Sequence, residues 1–97
     1  MLIESTYKPG DTVSLKLSSG EEIVARLDEE TSTKFTLSKP MVLVMQAEGL
    51  GLAPYMYSVK ATSKFHILSS TVSCVAKTEE DIAAQYVQTT SGIQLQP

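Results

Sequence analysis

The stretch VSLKLSSGEEIVARL, residues 13 to 27, decides the fold class. Val13, Leu15 and Leu17 alternate with Ser14 and Lys16, the period-two pattern of a strand with one face buried. Ser18-Ser19-Gly20-Glu21 supplies a tight turn. Ile23, Ala25 and Leu27 then alternate with Glu22, Val24 and Arg26. Two such runs around a short glycine-containing turn make a hairpin whose inward residues face one another across the strands.

Toward the C-terminus a polar bend at 29–33 leads into a third strand through Phe35 and Leu37. Pro40 donates no ladder hydrogen bond, so a bulge, kink or strand end is expected there. MVLVM, 41–45, is apolar on both faces, which places it inside the fold or beneath another subunit. AEGLGLAP, 47–54, carries two glycines and a proline and reads as a loop. It is no phosphate loop, because Gly49 and Gly51 lack the third glycine, the strand–helix setting and a nearby lysine that such a loop needs. Tyr55, Tyr57 and Val59 alternate again, and FHIL and TVSCV give two further short strands around Ser69-Ser70. Thr78, followed by Glu79, Glu80 and Asp81, predicts an N-capped helix over about 78–90. Ile82, Ala83, Tyr86 and Val87 form its apolar stripe, and Gly92 is its expected terminator.

At 97 residues, 42% of them hydrophobic and 20% charged, the chain suits one folded domain and is too apolar for disorder. No apolar run approaches the roughly 18 residues of a membrane span, and MLIESTYKPGD lacks the features of a signal peptide, so a cytoplasmic protein with no membrane partner is expected. With one cysteine, Cys74, and one histidine, His66, the chain cannot form an internal disulfide or a Cys/His zinc site by itself, and no metal or cofactor is expected. A net charge of −3 argues against a broad phosphate-binding face. No enzyme is expected either. His66 and Cys74 read as packing residues of adjacent strands without a third orienting group. Glu21-Glu22 and Asp28-Glu29-Glu30 read as solvated turn and strand-end acids.

Five or so short strands with tight turns favour a small β-barrel or a sandwich. The opening stretch adds a more specific pattern. From Gly20, an apolar residue stands three positions on (Ile23), a small one five on (Ala25) and an apolar one seven on (Leu27). This resembles the first signature of the Sm and Sm-like family (LSm/Hfq type), with alanine replacing the family's second glycine. Ile67-Leu68-Ser69-Ser70-Thr71-Val72 is the counterpart of the second signature, with Leu68 where many members carry arginine. GEEIVARLDEE, TLSKP, LGLAPYM and QYVQTTSGI look like the divergent Sm-like proteins of bacteriophages (cyanophage type).

The resemblance implies a mainly β fold: a small, strongly bent five-stranded barrel over about 12–77, with a C-terminal helix over about 78–90. It also implies a homo-oligomeric ring, formed as the fourth strand of one subunit pairs with the fifth of the next. Leu43, Met45, Tyr57, Ile67, Val72 and Cys74 are then interface candidates. Such rings commonly hold single-stranded RNA at the inner rim. The family's acidic, stacking and reading positions fall on Thr31, Thr33 and Phe35 without gaps, or on Glu30, Ser32 and Lys34 with one deletion. Thr31, Thr33, Lys34, Phe35 and Ser69 are therefore the RNA-binding candidates. Neither register supplies both a stacking ring and a base reader, and Leu68 cannot hydrogen-bond a phosphate. The other expectation is an oligomeric scaffold or interaction module of phage origin that binds a phage or host protein and no RNA. The expected location is the cytoplasm, that of the host cell if the chain is phage-encoded. Tyr55 and Tyr57 suit a core or subunit interface better than a stacking platform. The helix stripe suits packing on its own barrel, or docking of a neighbour.

Overall fold

A computed structural model describes residues 7–60 and 62–95. Six strands form one antiparallel sheet: β1 (Thr12–Leu17), β2 (Glu22–Glu30), β3 (Lys34–Gln46), β4 (Gly49–Pro54), β5 (Lys64–Leu68) and β6 (Val72–Lys77). A three-residue 3-10 turn, Ser69–Thr71, joins the last two, and the helix α1 (Glu80–Leu95) follows. The predicted hairpin is present, with Val13 opposite Ala25 and Leu15 opposite Ile23. Gly20 closes it at φ +112°, a conformation in which a side chain would be strained.

The strand order is β4-β3-β2-β1-β6, with β5 also on β3. β4 and β5 lie end to end along one edge of the 13-residue β3, taking Met41–Gln46 and Lys34–Ser38 respectively. There are thus six strands where five were expected, and the sheet is not closed: β6 pairs only with β1, and β5 only with β3. Residues 49–54, expected as loop, are strand β4, because the apolar run of β3 turns back at Ala47-Glu48 and pairs with them. Tyr55–Val59, expected to alternate as a strand, is irregular instead. Pro54 has no N–H to extend the ladder, and the chain leaves the sheet there.

Three register shifts bend the sheet. Lys39 and Pro40 together oppose Ala25, with Lys39 at φ +51°, so the irregularity expected at Pro40 is a bulge inside a continuous strand. Asp28 is the unpaired extra residue of β2, and Ser73 that of β6.

The sheet buries both faces. Val13, Leu15, Ile23, Leu27 and Leu37, each at most 1% exposed, form the inner core with Phe35 and Ile67. A buried aliphatic side chain of this kind contributes about 1.5–3 kcal/mol. Val24, out of phase with that face, is nonetheless fully buried, because Met41, Tyr86 and Ile82 form a second cluster with it between the outer face and α1.

The helix begins two residues later than expected and passes through Gly92. Thr78 is not an N-cap: its amide donates to the Thr12 carbonyl at 3.0 Å, and its buried hydroxyl meets Ser14 Oγ at 2.9 Å, both continuing the sheet. Tyr86 and Thr90 form the buried stripe, whereas Val87 is half exposed.

Candidate nucleic-acid interface

Two turns meet at one end of the sheet. In the β2–β3 turn, the Thr31 hydroxyl accepts from the amides of Thr33 (3.3 Å) and Lys34 (3.2 Å), and the Thr31 amide donates to the Lys34 carbonyl at 2.9 Å. The Ser69 amide, at the start of the β5–β6 turn, donates to the Thr33 carbonyl at 2.8 Å. Thr31, Thr33, Lys34 and Ser69 are therefore brought together from positions 35 residues apart in sequence. Beside them lies a shallow depression of about 320 Å³, bordered by Glu30, Thr31, Ser69 and Cys74. Tyr7 donates to Glu30 Oε1 at 2.8 Å at this end, and its burial together with that carboxylate pushes the Tyr7 hydroxyl up to about 12.

Phe35 borders the same depression but is only 4% exposed and belongs to the inner core. Leu68, where the resemblance leads one to expect an arginine, is 60% exposed. This end of the sheet thus offers hydroxyls and backbone groups, one lysine and an acid, without an exposed aromatic side chain to stack on among the described residues.

The interface candidates are dispersed. Ile67 on β5 faces its own core, while Val72 is half-buried and Cys74 exposed on β6. Leu43 packs on the outer cluster. Met45 lies beyond the pairing of β3 with β2, which ends at Val42, and is 80% exposed. Tyr57 sits in the segment after β4, 83% exposed. His66 and Cys74 are on strands that do not pair with each other, and both are exposed rather than packed, so they form no dyad. His66 Nδ1 is hydrogen-bonded to Thr36 Oγ1 at 3.1 Å. Among the described residues no three His, Cys, Asp or Glu side chains cluster as metal ligands. No described helix is long and apolar enough to cross a membrane.

Asp28, expected to be a solvated acid, is instead mostly buried and fully engaged. Lys64 Nζ (2.7 Å), Arg26 (3.4 Å) and the Ser38 hydroxyl all bond to its carboxylate. Burial acts to raise its pKa, but the bonds from Lys64 and Ser38 and the charges of Lys64 and Arg26 prevail and hold it below the usual carboxylate value. The pattern of the strands gave no sign of this cluster, because Asp28 reaches it only through the bulge.

No protein-family model matches the chain, and no curated protein matches it at significant similarity.

Proposed function

We propose that the chain is an Sm-like protein of phage type that assembles side by side into a ring and holds single-stranded RNA weakly, through an altered site at the rim. Support comes from the sheet order. β5 and β6 each pair on one side only, and the turn between them carries Ser69 against Thr33. An unpaired strand edge is a template for a second chain, and β5 of one copy against β6 of the next satisfies both edges in a head-to-tail contact that closes on itself. The first signature, Gly20 to Leu27, supports the same barrel type, since its hairpin forms with Ala25 fully buried where a small residue is needed.

The mass of the native assembly tests the ring. A strict monomer at micromolar concentration overturns it. RNA binding is tested by titrating fluorescent oligo-U and oligo-A at moderate salt, with Lys34→Ala expected to lower the affinity severalfold. The second reading, an oligomeric scaffold for a phage or host protein, is favoured by Leu68, which stands exposed where a phosphate-binding arginine would be. It prevails if the ring forms and no oligonucleotide binds even at low salt.

A further inference from the structure

On the face covered by α1, away from the rim, two cavities adjoin. One, of about 440 Å³, is lined by Arg26, Lys39 and Lys64 with the hydroxyls of Thr62 and Ser91. The other, of about 200 Å³, is lined mainly by apolar groups, among them Met41, Met56, Tyr57 and Phe65. Lys39 and Thr90 border both. The chain has eight Lys and Arg residues and a net charge of −3, yet three of the eight line one cavity and no carboxylate lines it with them.

Arg26 and Lys64 are tethered at their charged ends although their side chains are more than half exposed, and Lys39 is fixed at its backbone. Asp28 clamps Arg26 and Lys64, and Ser38 with them. Lys39 stands at φ +51°, a conformation costly for a residue with a side chain, and the Tyr86 hydroxyl fixes it by donating to the carbonyls of Ser38 (3.1 Å) and Lys39 (2.8 Å). Asp28 and Lys39 are each the extra residue of a bulge, the irregularity by which sheets re-aim side chains next to sites. Lys39 makes no ion pair among the described residues. Three cations against one carboxylate leave two positive charges. A phosphate monoester carries about −1.5 to −2 at pH 7, whereas an internal phosphodiester carries about −1.

The geometry points to a binding site for a nucleoside 5′-phosphate, its phosphate monoester on Arg26, Lys39 and Lys64 and its base in the cavity of Tyr57 and Phe65. The ligand is either a free mononucleotide or the 5′-phosphorylated end of an RNA strand. Every group involved comes from one chain, so the site does not depend on ring formation or on the rim.

Calorimetric titration of the full chain with AMP, adenosine and inorganic phosphate tests it. AMP is expected to bind at least tenfold more tightly than adenosine or phosphate alone. Lys39→Gly removes the cation while relieving the positive φ, so the fold is retained, and it is expected to weaken AMP at least tenfold, as is Lys64→Met. Lys16→Ala, which removes the same charge from β1, is expected to stay within twofold. Equal binding of AMP and adenosine, or an unchanged affinity in Lys39→Gly, overturns the proposal. Hexa-adenylate with a 5′-phosphate or a 5′-hydroxyl separates the sources. If the phosphorylated strand binds tenfold more tightly than AMP, the ligand is a strand end; if it binds no better than AMP, the ligand is the free nucleotide. If the two strands bind equally well to Lys34→Ala, where binding at the 31–34 turn is weakened, the monoester reading falls.

Discussion

The end of the sheet proposed as a rim and the helix-covered face are built from the same strands but carry opposite chemistry. At the rim, the turns at 31–34 and 69–71 join through backbone hydrogen bonds and present hydroxyls, with the nearby aromatic ring, Phe35, turned into the core. On the helix side, bulges in β2 and β3 aim Asp28 and Lys39 toward two other cations, beside an apolar cavity with two aromatic rings. Strand topology can thus bring two distant turns together without delivering recognition chemistry. Departures from regular pairing deliver it elsewhere on the same sheet.

The widest break in this comparison comes from the core that both regions share. Leu27, 1% exposed, sits between Arg26 and Asp28 with its side chain inward, and Leu27→Ala should cost about 2–5 kcal/mol in denaturant unfolding. Rim and helix side should loosen together, as read by amide exchange at Ser69 and at the Asp28 bulge. Tyr86→Phe should separate them. It leaves two carbonyls without their hydroxyl donor and should cost about 1–3 kcal/mol, with AMP affinity reduced and exchange at Ser69 unchanged.

pH sharpens the same contrast. Burial pushes the Tyr86 hydroxyl up to about 12, so the folded state holds this proton more tightly than the unfolded chain does. Its contribution is fully present below the ordinary tyrosine value of about 10 and is lost as pH rises through about 12. Tyr86→Phe should therefore flatten the alkaline limb of the stability curve. On the acid side the sign reverses. The lowered pKa of Asp28 stabilises the fold above the usual carboxylate range, and this is lost as pH falls through the folded-state value. Asp28→Asn should shallow the acid limb, by about 1 kcal/mol or less because its cationic partners are more than half exposed. The smallest effect belongs to the rim. Lys34→Ala should change stability by less than about 0.5 kcal/mol, so any loss of oligonucleotide affinity in that variant reports binding and not folding.

Much of the architecture was legible from residue order alone. The Val13–Leu27 hairpin, the strands around Phe35, Ile67 and Val75 and the terminal helix all follow local periodicity. The errors lie where non-local pairing overrode local composition. Gly49–Pro54 reads as loop because glycine and proline dominate it, yet it pairs with the apolar run of β3 across a two-residue turn. Thr78 reads as a cap because acids follow it, yet its hydroxyl turns to Ser14 across the sheet. At the 31–35 turn, residue order did not give the exposure of the candidate residues. Phe35 and Lys34 are neighbours in sequence, and the pleat sends one into the core.

By itself the sequence determined the Val13–Leu27 hairpin, the strands through Phe35, Ile67 and Val75 and the terminal helix, and that a single cysteine forms no internal disulfide, because alternation, turn chemistry and residue counts are local properties. Only the tertiary structure decided that β4 and β5 share one edge of β3, that α1 buries the second face at Val24, and that Asp28 is a clamp for cations rather than a solvated acid. A bulge shifts register by one residue and exchanges the faces beyond it, so where each side chain finally points depends on pairing partners far away in the chain.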